Sequence, residues 1–545
     1  MTAPTTAWLA EQYHSGRMNL PTAHHHLLSE TEHSSLATIF TTLTSNLPRL
    51  EKTTLITHIQ SHLPRSLPPT FAETIYQILT YHTSAPFYKN PSPIPPSSLS
   101  LLDTQRGLAW LLPQNHLSMS ETGNMGRMRT PADGRRLLFQ SLATLSVPSP
   151  DSPSKEDARR GYARRNAFDA QHARKYLGIG EEEMEEMLRD WCKCNRDEDG
   201  DEMWHDLLDV LHACVPENYP YASRRESLRP LAKEIGGGVV FHEIAVEKRV
   251  LRGLVRGVLR LQFEVGEEEM DAGELETMDE QVESALATFI CEDEELASAY
   301  PSSLDIIAWP AFDHALRHLP HLFDPVHRVL IKALLDSEPY NMHTSVKSLY
   351  GAPPELLRPK DTGTKPYVLS RSWMNLMPMI IPDVVDWESL HTVLRWNSSQ
   401  DSNSDTTTSP TSDAIWTHVR ARDLEQTEET PLAIILALEG HDQASGEPFK
   451  GGIVVGADYD GKAGRERLYN LYVFRLLPSV RFLELIDQRW EHRSGKELAF
   501  GDSATTSGFR FLVDDMAVDI DIPAFGRHQR IKVNSLEIWN DNGSS

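Results

Sequence analysis

Apolar residues recur at three- and four-residue intervals through most of the chain up to residue 350. That spacing predicts amphipathic helices. "FAETIYQILTYH" sets Phe71, Ile75 and Ile78 near one helical face. "SLLDTQRGLAWLL", "RRLLFQSLATL", "MWHDLLDVLHACV" and "LVRGVLRLQFEV" repeat the pattern, and Pro320 interrupts it within "AFDHALRHLPHLFDPVHRVLIKALL". "YKNPSPIPPSS" (88–98) is too rich in proline for a helix or a central strand, so it reads as an extended loop. "ETGNMGRMRTPADGRR" reads as a loop, and "SVPSPDSPSKED" (146–157) as a linker.

The pattern changes after Lys365. Two helical stretches, "SRSWMNLMPMII" and "DWESLHTVLRW", precede short runs rich in Val, Ile, Leu and Phe: "LAIILALE", "GGIVVGADY", "NLYVFRLL", "GFRFLVDD" and "RIKVNSLEIW". Bounded by Gly, Asp and Pro, these runs predict strands. The fold class read from this is α+β. Residues 1–145 form an N-terminal helical region, 146–157 a linker, 158–350 a second helical region, 351–364 another linker and 365–541 a domain built on β-structure. Within that domain, 397–414 ("NSSQDSNSDTTTSPTSDA") is low in complexity and reads as a disordered insertion.

Composition narrows the class. At 545 residues the chain exceeds one core, and no apolar run approaches the ~20 residues that span a bilayer. The opening "MTAPTTAWLAEQYHSGRM" has neither a secretory pattern nor the Gly that N-myristoylation requires, so a soluble, cytoplasmic protein is expected. Four cysteines suit reduced thiols rather than a disulfide framework, and they lack zinc-site spacing. A formal charge of −25 argues against a nucleic-acid partner. From Leu261 to Leu316 there are sixteen Asp and Glu and no Lys or Arg, so 264–295 reads either as solvated helix faces or as a docking surface for a basic partner.

Three motifs invite chemistry. In "LAFGDSATTSG", Phe500-Gly501-Asp502-Ser503 with Gly508 resembles the opening block of GDSL serine hydrolases. Such an enzyme needs Asp-x-x-His long after its nucleophile, whereas His528 is the one histidine that follows Ser503 and Phe525 stands three positions before it. A Gly-rich turn between strands fits better. "CNRDEDGDEMWHD", set as a calcium loop, offers Asn195, Asp197, Asp199, Asp201 and Asp206 as ligands around Gly200. Its twelfth position holds Asp206 rather than the longer Glu, and an acidic inter-helix turn is the competing reading. His24 to His26 are adjacent and point in different directions on a helix. His314, His318 and His321 share a helical face, but Pro320 breaks the helix before the third. No cofactor is expected.

The C-terminal order of segments resembles a TLDc domain. "YVLSRSWMNLMPMIIP", "PLAIILALEGHD" and "GEPFKGGIVVGADY" open it, and Val473-Phe474-Arg475-Leu476-Leu477-Pro478 matches the "fLFqL.P" strand that follows in the family. Phe500, Gly501, Gly508, Phe509, Leu512, Asp514 and Asp515 match its Gly-flanked segment, and Leu536, Glu537, Ile538 and Trp539 its closing strand. The helical segments ahead resemble fungal TLDc proteins of the restriction-of-telomere-capping type, related to mTOR-associated TLDc and oxidation-resistance proteins. The resemblance implies an EF-hand-like helical region followed by a β-sandwich flanked by helices, with Gly501, Gly508, Glu537 and Trp539 as structural residues. It also implies a non-catalytic regulator that binds vacuolar proton ATPase subunits, cytoplasmic and peripheral at the vacuole membrane through that partner. Links to oxidative-stress response and telomere capping come with the family name. The alternatives on these residues are a calcium-responsive adaptor through loop 195–206 and a hydrolase using Ser503.

Overall fold

The computed structural model describes residues 28–85, 87, 94–112, 131–145, 204, 206–208, 211, 221–236, 241–263, 272–289, 305–335, 371–380, 390–397, 433–457, 469–485, 490–493, 497–501, 508–512, 516–521 and 528–541. Helix α1 (Glu30–Thr44) starts in a capping box: the Glu32 amide donates to Ser29 Oγ at 3.2 Å and the Ser29 amide to Glu32 Oε2 at 2.7 Å. It ends on Ser45 and Asn46, both left-handed at φ 50° and 67°. Strand β1 (Leu50–Glu51), α2 (Lys52–Ser61), α3 (Pro69–Thr83), β2 (Ser98–Leu99) and α4 (Leu101–Leu111) follow. Ser100 and Asp103 cap α4 as Ser29 and Glu32 cap α1. A Cβ on Gly107 would lie 2.9 Å from Thr83 Cγ2, so glycine sets the close approach of α4 to α3.

Helix α5 (Pro131–Leu142) starts inside the segment that the sequence assigns to a loop. Proline is compatible with a first helical turn, and the loop reading stopped short of that allowance. Then come β3 (Thr144–Leu145), α6 (Tyr221–Ile235), β4 (Ile244–Glu247), α7 (Lys248–Phe263), α8 (Ala272–Thr288), β5 (Ile306–Ile307), α9 (Trp309–His318) and α10 (Asp324–Leu335). Pro320 falls between the last two, where periodicity placed the break. Helix α7 buries Leu251, Leu254, Val255 and Val258 and exposes Arg249, Arg252 and Arg256, as its spacing requires.

The chain divides into two compact units, neither continuous in sequence. The first comprises residues 1–254, 290–314 and 325–340. It holds a two-stranded ribbon β1-β2 and a three-stranded sheet β3-β4-β5 among its helices. Its core centres on Phe139, Phe241, Trp309 and Phe312, with Phe241 stacked on Trp309 at 5.3 Å and Phe139 edge-on to Phe312 at 5.4 Å. Gln77 Nε2 on α3 donates to the Ser141 carbonyl of α5 at 2.8 Å.

The second unit comprises residues 255–289, 315–324 and 341–545. After α11 (Arg371–Ile380) it is built from β6 (Leu390–Asn397), β7 (Ala433–Asp442), β8 (Pro448–Ala457), β9 (Tyr469–Leu477), β10 (Arg481–Leu485), β11 (Trp490–Arg493), β12 (Glu497–Gly501), β13 (Gly508–Leu512), β14 (Ala517–Asp521) and β15 (Gln529–Asp541). These form one curled antiparallel sheet in the order β10-β9-β8-β7-β15-β14-β13-β12-β11, with β6 also on β15. The sequence reads "DWESLHTVLRW" as helical, but its second half is strand β6, paired with β15 from Ser535↔Asn397 to Asp541↔Leu390. A helix-like period over a short segment yields here to a strand edge waiting to be paired.

Strand β15 organises the sheet. One edge runs along β7 from Ile531 to Asn540. The other carries β14 against residues 529–532 and β6 against residues 535–541. The changeover sits at Asn534, where the register against β7 shifts between Val533 and Ser535. Such a bulge bends the strand and sharpens its twist, so β14 and β6 can share one edge. Both faces of the central strands are buried: Ile435, Leu436, Ala437 and Leu438 are at most 1% exposed. Helix α8 covers part of one face, with Ser284, Ala285 and Thr288 buried.

Candidate functional site

Helix α5 presents two consecutive arginines to three carboxylates. Arg136 is buried, with Nη1 2.8 Å from Asp133 Oδ1 one helical turn away and Nη2 2.5 Å from Asp206 Oδ2. Beside it Arg135 Nε donates to Asp313 Oδ1 at 2.8 Å, and Asp313 is buried too. A buried guanidinium requires such partners, because an uncompensated charge in an apolar interior is costly. This site joins α5, α9 and the segment around Asp206.

Asp206 is the last of the five calcium-loop candidates, and its carboxylate is engaged by Arg136. Asn195, Asp197, Asp199 and Asp201 lie outside the described residues, as do His24 to His26. Among the described residues, no group of three or more His, Cys, Asp and Glu is placed to hold a metal ion. His314 and His318 stand on α9, while His321 lies in the turn beyond it with Nδ1 2.9 Å from Asp324 Oδ2. Sequence reasoning missed the Arg136 cluster because it assigned "TPADGRR" to a loop. The signal that was there is Asp133 and Arg136 at i and i+3 behind a proline able to open a helix.

In the second unit the residues singled out by sequence are spread along one sheet. Gly501 and Gly508 face each other at the ends of β12 and β13, so residues 502–507, Ser503 among them, join two paired strands. Ser503 itself lies outside the described residues; strands flank it on both sides, unlike the strand-to-helix turn of a nucleophile elbow. Glu537 is buried in the middle of β15, in register with Ala437 on β7 and Arg395 on β6. Trp539 is in register with Ile435 and Thr392, and it is described through its backbone only.

The connection from β9 to β10 is clamped from two directions. Arg475 and Arg481 stand directly opposite across the ladder, both buried. Arg475 Nη2 donates to Ser479 Oγ at 3.0 Å and its Nε to the Ser479 carbonyl at 3.3 Å, while Arg481 Nη1 donates to the Val480 carbonyl at 3.2 Å. From α8, Ser284 Oγ donates to the Leu476 carbonyl. The Val480 amide donates to Thr288 Oγ1 at 3.0 Å, and that hydroxyl has the Val480 and Ser284 carbonyls within 3.1 Å. Paired with Leu477 across the β8–β9 ladder, Lys450 is buried with Nζ 5.3 Å above the Trp373 ring and 3.8 Å from Glu439 Oε1. Sequence pattern gives no hint of this clamp, since Ser284 and Thr288 read as ordinary polar members of an acidic helix.

Among the described residues of the first unit, His58 and Tyr76 titrate away from their ordinary values. Burial holds the His58 imidazole below 6.5, with the nearby His62 adding to the effect and the 2.6 Å contact of Nε2 with the Ala333 carbonyl opposing it. Burial, reinforced by Glu51, pushes the Tyr76 phenol up to about 12. The chain matches no protein-family model, no curated protein and no solved structure.

Proposed function

We propose that the chain is a non-catalytic regulatory protein of TLDc type that docks on a large assembly, the vacuolar proton ATPase, and modulates its assembly. On this reading the curled sheet is the family's β-sandwich with flanking helices, the helical part is EF-hand-like, and the protein sits in the cytoplasm, reaching the vacuole surface through its partner. One observation carries the reading: segments that resemble the family while lying far apart in sequence belong to a single sheet. Val473–Leu477 lies on β9, Gly501 and Gly508 join β12 to β13, and Leu536–Trp539 occupies the strand that links the sheet's two arms. The engagement of Asp206 by Arg136 weighs against loop 195–206 as a calcium switch, and the strands on both sides of Ser503 weigh against a hydrolase.

A docking role needs roughly 800 Å² of surface per partner. The test is a pull-down of the tagged full-length chain from cell lysate, with proton-ATPase subunits read by mass spectrometry. Purified ATPase is then assayed for proton pumping with and without the protein. Enrichment of stalk subunits together with a change in pumping supports the proposal. Absence of both removes the ATPase from it.

A further inference from the structure

Ile94 is 93% exposed, against 63% for Leu47 and 43% for Leu102, the other large hydrophobic side chains standing out among the described residues. Its setting is Pro93-Ile94-Pro95-Pro96, a P-x-x-P sequence with no charged residue from Pro91 to Ser98. A residue before proline is steered away from the α region toward extended geometry, and both Ile94 and Pro95 precede prolines. Proline also fixes its own φ near −65° and carries no N–H. Ile94 to Ser97 accordingly form neither helix nor strand.

The far end of this segment is held to the body. The Tyr76 hydroxyl donates to the Pro96 carbonyl at 2.6 Å, and the Lys52 amide to the Ser97 carbonyl at 2.7 Å. Two residues on, β2 pairs with β1 through Leu99↔Leu50. Tyr76 is itself buried, with Lys52 Nζ 5.7 Å from its ring centroid. The prolines thus bias Ile94 and Pro95 toward extended geometry, and the stretch is anchored at its far end and apolar at its tip.

We infer that Ile94–Pro96 is a docking peptide for a partner domain that reads a polyproline II helix through an aromatic-lined groove. Strand addition is disfavoured, because Pro95 and Pro96 have no N–H for a ladder. A charged groove finds no counter-charge in the segment. A polyproline II ligand is preformed, so little chain order is lost on binding, and the anchoring by Tyr76 and Lys52 reduces that loss further.

The test titrates the full-length chain against a panel of purified SH3, WW and EVH1 domains by isothermal calorimetry. At least one domain is expected to bind, and Ile94→Asp and Pro96→Ala are each expected to weaken it by about tenfold or more. Ile94 contributes little to the fold from its exposed position, and Pro96→Ala keeps the carbonyl that Tyr76 uses, so both variants should melt with the parent. Tyr76→Phe should weaken binding less, by loosening the anchor alone. The inference is overturned if no domain of the panel binds, or if Ile94→Asp binds as well as the parent.

Discussion

The carboxylate of Asp206 lies 2.5 Å from Nη2 of Arg136, and both side chains are almost wholly shut off from water. Asp206→Ala leaves the guanidinium with less countercharge in an apolar surround. It should destabilise the protein by about 3–5 kcal/mol, read by chemical denaturation. Asp206→Asn, which keeps an acceptor, should cost less. Because the carboxylate at the last position of the 195–206 loop is engaged by Arg136, millimolar calcium should leave the wild-type melting temperature unmoved. A calcium-dependent rise that Asp197→Ala with Asp199→Ala removes would show the opposite.

Thr288 Oγ1 accepts the Val480 amide, so Thr288→Val leaves a buried donor without that acceptor. The expected loss is about 1–3 kcal/mol. The same contact bears on fragments: one starting at residue 365 lacks α8 and should fail to melt cooperatively. A fragment from residue 255 retains it and should melt as a unit, by circular dichroism.

Two glycines should respond in opposite directions to alanine. A Cβ on Gly452 would stand 1.9 Å from the Leu436 carbonyl oxygen, so Gly452→Ala should cost more than ~4 kcal/mol or prevent folding. Gly253 is exposed within α7 and a Cβ there meets nothing within 4 Å, so Gly253→Ala should stabilise by about 0.5–1 kcal/mol. Thermal melts of the two variants beside the parent check both.

His58 gives stability a pH dependence. Its folded pKa lies below the ordinary 6.5, so the folded state binds the proton more weakly than the unfolded chain. The contribution is fully present above 6.5 and is lost as pH falls through the lower folded value. Melting temperatures between pH 7.5 and 5 should fall less steeply for His58→Gln, which retains a donor for the Ala333 carbonyl and cannot charge.

What could be read from the sequence follows from how local each signal is. Phe71, Ile75 and Ile78 are buried on α3 as their spacing requires, and the proline-rich stretch lacks helix where it is described. The runs holding Leu436, Val454, Val473, Phe509 and Leu536 are strands. Strand β6 was not legible, because His391 to Trp396 become a strand only by pairing with residues 535–541 far along the chain. The Arg136–Asp206 pair and the Thr288–Val480 bond are likewise long-range, their partners 70 and 192 positions apart, beyond the reach of any window of periodicity. The ribbon strands β1 and β2 are two residues each and leave no pattern to detect.

Strand β15 also sets a schedule for making the protein. On the ribosome it emerges after every other described strand of its sheet, yet it alone links the β7 arm to the β14 arm and to β6. Until then the long edge of β7, with Ile434 to Leu438, stands unpaired on that side. Such an edge recruits whatever strand is at hand. Nascent chains stalled before residue 529 should therefore be the ones that chaperones hold and that aggregate when chaperones are scarce.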